Sequence, residues 1–132
     1  MKITADTNVL LRAVVGDDEA QQRAALEALD GAETVAVSVQ SLCEFAWVLA
    51  RGYRTSRDDI AAAIRQLLNM SNIAVDRPTA EAGLAVLEAG GDFADGVIAH
   101  DGRWLGGETF VSFDVQAVRL LDGARQAARL LS

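Results

Sequence analysis

Five acidic residues occupy positions where an acid is either costly or conspicuous: Asp6, Glu44, Asp92, Asp95 and Asp114. Asp6 interrupts "ITADTNVLL", a short apolar run that stops at an acid and at once resumes. Ile3 to Ala5 read as the end of a strand and Asn8 to Val15 as a helix. An acid at that junction lies just past the carboxyl end of a strand, where open α/β sheets bind their ligands. The plainer role of helix N-cap suits the same position. Asp114 repeats the pattern in "ETFVSFD", and two strands ending in Asp can place both carboxylates at one rim if they are neighbours. "DFAD" supplies Asp92 and Asp95 at a helix start, three residues apart and able to face the same way. Asp92 also fits an N-cap, whereas Asp95, one turn in, has less capping to do.

Glu44 is the only polar side chain in "LCEFAWVLA", on a helix that reads as apolar nearly all round. A carboxylate buried there without a partner is costly, so it is expected to protonate, pair or bind a metal. No Lys or Arg lies within a turn of it, which leaves a pair with a distant Arg as the alternative. Brought together, Asp6, Glu44, Asp95 and Asp114 would repel one another strongly. A hard divalent cation with oxygen ligands, Mg²⁺ or Mn²⁺, resolves that repulsion. Zinc is disfavoured, since one His and one Cys cannot supply an ordinary nitrogen and sulfur site. Carboxylates without a dedicated nucleophile suit metal-assisted hydrolysis of a phosphodiester.

These residues must be positioned by the elements around them, and the chain alternates strand and helix patterns without linker or repeat. "DDEAQQRAALEALDG" reads as a helix ended by Gly31. "TVAVS" has strand character, and Ser38 can cap the helix "QSLCEFAWVLARG" that stops at Gly52. In "SRDDIAAAIRQLLNM", Ser56 and Asp59 resemble a capping box, and Ile60, Ile64, Leu67 and Leu68 form the buried stripe. "IAV" is a brief strand, Pro78 opens a helix, "DFADGVIAHDGRWLG" looks helical, and "TFVSF" is strand. "DVQAVRLLDGARQAARLL" is expected to close the chain with helix. Such alternation predicts an α/β domain with a parallel sheet.

Composition bounds the possibilities further. The chain has 132 residues, half of them hydrophobic, and a single Pro, so a globular fold with a real core is expected. One cysteine, Cys43, excludes a disulfide framework and suits a reducing compartment. No apolar run approaches the ~20 residues of a membrane span, and Asp6 comes too early for a signal peptide, so a cytoplasmic protein with no membrane association is expected. Nineteen acids against twelve bases give a formal charge of −7. That balance argues against broad attraction to nucleic acid, and fits acids gathered at one place around a cation.

"ADTNVLLR", Glu44 on a helix after the second strand, "DFADGVIA" and "FVSFD", in that order, resemble the PIN domain, and more closely the VapC-type toxins of bacterial VapBC toxin–antitoxin pairs. The resemblance runs over nearly the whole chain, and implies a single PIN domain over residues 1–132. It implies a PIN-like α/β/α sandwich around a central parallel sheet of four to five strands, with Mg²⁺- or Mn²⁺-dependent ribonuclease activity held in check by a cognate VapB-like antitoxin. It implies a four-carboxylate metal site in which Asp6 is the ligand after the first strand, Glu44 the helix acid, Asp95 the acid of the later helix and Asp114 the acid after the last core strand. Thr7 and Asn8 match the turn that steadies Asp6, and Ser112 stands where Thr is common. Gly96 stands where Ala is usual, a departure expected to loosen that helix start. Asp92 is an accessory position. A homodimer is the default assembly.

Other residues carry weaker signals. Arg12, Arg51 and Arg54, with Arg57, are the candidates for gripping the phosphates of an RNA substrate, beside the ordinary role of cations at a helix end. Trp47 and Trp104 could stack on bases, though their apolar neighbours favour core packing. His100 reads as a helix-surface residue, and Cys43 as small filler. An Asp-nucleophile phosphotransfer enzyme would need a late Lys, and the only Lys is Lys2. A PIN nuclease that processes RNA without an antitoxin, and a non-catalytic PIN binding module, are the alternatives within the family.

Overall fold

A computed structural model describes residues 1–132. The chain divides into two compact units, Met1–Asp76 and Arg77–Ser132. No helix is long and apolar enough to cross a membrane.

The first unit holds strands β1 (Lys2–Thr4), β2 (Thr34–Ala36) and β3 (Ile73–Ala74), with helices α1 (Thr7–Val14), α2 (Glu19–Gly31), α3 (Val39–Gly52) and α4 (Arg57–Asn69). The strands pair in parallel in the order β1-β2-β3, with Ile3 opposite Val35 and Val35 opposite Ile73. Val35 is fully buried, as the central strand of a helix-covered parallel sheet requires. Each helix of this unit has a stripe to bury. In α4 it consists of Ile60, Ala61, Ala63, Ile64, Leu67 and Leu68, the pattern expected from the sequence extended by two alanines. Ser56 caps α4 by accepting from the Asp59 amide, and Ser38 caps α3 by accepting from the Ser41 amide. The Asn72 side-chain amide donates to the Leu29 and Ala32 carbonyls, which satisfies acceptors left over at the end of α2.

The second unit holds α5 (Arg77–Glu88), α6 (Phe93–Trp104), β4 (Phe110–Ser112), α7 (Val115–Gly123) and β5 (Ala128–Leu130). Strands β4 and β5 are parallel, with Phe110 opposite Ala128 and Ser112 opposite Leu130. Within each unit the strands are short and pair in parallel. They form a three-stranded and a two-stranded ladder rather than a single run of hydrogen bonds.

The expectation of helix to the end of the chain is corrected here. Helix α7 stops at Gly123, Arg125 takes a left-handed conformation with φ of 62°, and Ala128–Leu130 pairs as strand. "ARQAARLL" has good helix formers, but pairing with β4 overrides that preference, as tertiary context commonly does.

Gly96 also has a packing role that its departure from Ala did not indicate. Helices α5 and α6 cross so closely that a Cβ at Gly96 would collide with the Ala82 carbonyl oxygen and lie 2.8 Å from Gly83 Cα. A Cβ at Gly83 would in turn meet the Phe93 ring at 2.7 Å. The two glycines let the backbones meet, and the buried Phe93 fills the rest.

Candidate functional site

Asp6 follows β1 and is the N-cap of α1. Its Oδ1 accepts from the Asn8 amide at 2.6 Å, which confirms the capping role and leaves Oδ2 without a partner. Asp114 has the same place after β4. Its Oδ1 accepts from the Ala117 amide at 3.1 Å, and its own amide donates to the Ser112 hydroxyl at 2.9 Å. Capping and ligation are thus compatible at both positions: one oxygen fixes the carboxylate, and the other is available to a cation.

Glu44 departs from expectation. It is exposed on α3, because the apolar segment still folds as a striped helix. Leu42, Phe45, Ala46 and Leu49 face the core, whereas Glu44, Trp47, Ala50 and Arg51 point outward. The burial cost inferred from its neighbours is therefore absent. So is the distant Arg: Glu44 receives a hydrogen bond from the Thr7 hydroxyl at 3.3 Å and no ion pair. Thr7 follows Asp6 directly, so this bond brings the Asp6 turn and Glu44 to one place within the first unit. Asn8 steadies Asp6 through its backbone amide.

In the second unit Asp92 sits at the N-cap position of α6, yet its side chain makes no capping hydrogen bond. It acts instead on Asp95. The Asp95 carboxyl is held above the usual carboxylate range, first by partial burial and then by the negative charges of Asp92 and Asp114. The structure therefore groups Asp92, Asp95 and Asp114 within one unit, and Asp6 with Glu44 within the other. No three His, Cys, Asp or Glu side chains are drawn close enough to form a ready cage for an ion. The donor chemistry nevertheless fits a hard divalent cation, since all five are carboxylates and none is neutralised by an Arg or Lys.

The cations fare unequally. Arg12 is committed to Asp17 through a 2.7 Å ion pair, which raises its pKa further above the ordinary arginine value. Asp17 also accepts from the Tyr53 hydroxyl at 3.3 Å. Arg51 lies over the Trp47 ring, 5.9 Å from its centroid, and Arg54 is exposed in a left-handed conformation with φ of 54°. Neither is ion-paired.

Both tryptophans are exposed, Trp47 by 61% and Trp104 by 82%, which overturns their placement in the core. The signal that could have found Trp47 is its spacing. It lies three residues after Glu44 and four before Arg51, on the polar side of the helix. His100 is half-buried instead of lying on the surface, and its Nε2 is buried without a hydrogen-bond partner.

No curated protein matches the chain. The family model of the PIN domain matches residues 3–120, a span that takes in both units and all five acids. PIN domains are generally nucleases that use divalent metal ions. With its alternating helices and parallel strands, and with acids at the ends of its first and fourth strands, the chain belongs to the PIN domain family.

Proposed function

We propose that this protein is a Mg²⁺- or Mn²⁺-dependent endoribonuclease of the VapC type, the toxin of a toxin–antitoxin pair, inhibited by a VapB-like antitoxin. The observation that carries this reading is the gathering of its acids into two groups, Asp6 with Glu44 and Asp95 with Asp92 and Asp114. Asp6 and Asp114 each keep one oxygen open, Glu44 is met only by a hydroxyl, Asp92 caps nothing, and Asp95 sits among like charges. Glu44 is tied to the Asp6 turn through Thr7, and Asp95 is set beside Asp92 and Asp114, a gathering that scattered solvating carboxylates do not show. Asp6, Glu44, Asp95 and Asp114 are the residues that would hold the ion, with Asp92 as an accessory. When bound, the ion supplies charge stabilisation at the phosphate and a more acidic water.

The chain's own groups prepare this chemistry. Backbone amides of Asn8 and Ala117 fix the Asp6 and Asp114 carboxylates, which limits the reorganisation needed when substrate binds. The Thr7 hydroxyl orients Glu44. Arg51 and Arg54 are the cations available to RNA phosphates, and Arg12 reaches them only by releasing Asp17. Exposed apolar side chains, among them Ile98, Trp104, Leu105, Val111 and Phe113, support a homodimer and an antitoxin contact.

The test is cleavage of single-stranded RNA by the purified protein with Mn²⁺, with excess chelator, and with Asp6→Asn in place of the native residue. Cleavage only by the native protein with metal supports the reading, and full cleavage in chelator ends it. The antitoxin part is tested by the neighbouring reading frame and by co-purification of its product. An active nuclease with no such partner would be an RNA-processing PIN enzyme instead.

A further inference from the structure

We propose that Trp47 is a base-stacking residue, which holds the base of a nucleotide beside the phosphate being cut. This rests on the ribonuclease reading and extends it to a residue outside the acid set. Three observations converge on the outer face of α3. Trp47 is 61% exposed on a helix whose other large apolar side chains at 42, 45 and 49 are buried, so packing does not account for its orientation. Arg51 stands over the ring at 5.9 Å and has no acidic partner, so its charge polarises the ring and is free to meet a phosphate. Glu44, a candidate ligand of the metal, is on the same face three residues earlier.

At ~1.5 Å of rise per residue, Trp47 lies about 4.5 Å along the axis from Glu44, and Arg51 about 10.5 Å. The face therefore presents, in order, a group for the ion, a ring for a base and a cation for a phosphate. That order follows a single strand of nucleic acid leading away from the reacting bond. With a guanidinium on one side, the ring still has exposed surface for a base, an arrangement common where single strands are held without regard to sequence. A protein partner with an acidic apolar segment could cover the same face, and the experiment separates the two.

The experiment uses Trp104→Phe protein, in which Trp47 is the only tryptophan, and twelve-residue single-stranded oligoribonucleotides of A, C, G or U. Binding should quench Trp47 fluorescence, and Trp47→Ala should weaken binding by about 5- to 100-fold, whereas Trp47→Phe keeps most of the affinity. In cleavage assays with Mn²⁺, Trp47→Ala should raise KM while kcat stays within about 2-fold. An abasic site at one position of the RNA should erase the difference between native and Ala proteins. Equal affinity and KM in the Ala variant, or no abasic position that erases the penalty, overturns the proposal while leaving the nuclease reading intact. RNA that binds with Trp47 quenching but is never cut leaves stacking standing and removes the nuclease reading. RNA that neither binds nor is cut removes both. A change of oligomeric state in Trp47→Ala, with unchanged RNA affinity, assigns the ring to a protein contact and overturns stacking.

Discussion

At the level of single residues, the useful distinction is between acids that do structural work and acids left with capacity to spare. Asp6 does both, and this makes it a clean test. Asn caps a helix about as well as Asp, so Asp6→Asn should keep the α1 cap and the fold while removing one charge from the proposed ligand set. We expect loss of cleavage with apo stability equal to or slightly above native, measured by thermal melts and RNA hydrolysis together. Glu44 was legible as an unusual acid but for the wrong reason. Its sequence neighbours suggested burial, whereas the stripe Leu42, Phe45, Ala46 and Leu49 turns it outward. Glu44→Gln should therefore cost no more than about 0.5 kcal/mol without metal, the range of surface changes, and should remove the stabilisation added by Mn²⁺. A loss of several kcal/mol in the apo variant would show a structural role instead. Asp95 adds a pH signature. Its folded carboxyl binds a proton more tightly than the unfolded one, so its contribution to stability falls as pH rises from the ordinary Asp range toward neutrality. Asp95→Asn should raise the apo melting temperature at pH 7, and the advantage should shrink near pH 4. An advantage independent of pH would mean that charge is not the cause.

At the level of elements, most helices announced themselves through caps and stripes, because Ser38 and Ser56 act within a few residues of where they stand. The last strand did not. Whether "ARQAARLL" becomes helix or strand depends on β4, which lies far enough back in sequence that no local pattern records the pairing. Gly96 failed to be read for the same reason. A glycine near the start of a helix looks like a weak helix former until the partner backbone is known, and here that partner is α5 at Ala82 and Gly83. The close crossing sets the position of Asp95, the residue just before Gly96, so α6 geometry and the acid group are linked. Gly96→Ala improves helix propensity by about 1 kcal/mol. It also forces a Cβ into backbone that has no rotamer with which to yield, and overpacking of this kind costs about 1–3 kcal/mol or more. We expect net destabilisation in chemical denaturation, with nuclease activity reduced as α6 shifts. Equal or greater stability would show that the helices can separate at no cost.

At the level of the whole molecule, each unit holds two of the proposed ligands, Asp6 and Glu44 in Met1–Asp76 and Asp95 and Asp114 in Arg77–Ser132. Asp6→Asn in the first unit and Asp114→Asn in the second should each remove the Mn²⁺-induced rise in melting temperature. That rise reflects about 2.7 kcal/mol at a metal concentration 100 times Kd. A rise lost in only one of the two variants would restrict the ligand set to that unit. The same acids bear on regulation. A protein of net charge −7 whose five candidate acids carry no ion pair attracts cations to them when metal is scarce. The planar fork of an arginine suits carboxylates better than any other side chain, and one supplied by a partner could displace or crowd the ion. If the proposed antitoxin exists, it is expected to carry such an Arg in a segment that lies against these acids, with apolar contacts supplying most of the affinity. Changing that Arg to Ala should restore ribonuclease activity to a complex that still co-purifies. If the complex remains intact and inactive, the partner acts by covering the face proposed to bind RNA, and Trp47 and Arg51 become the residues whose protection from solvent should be measured.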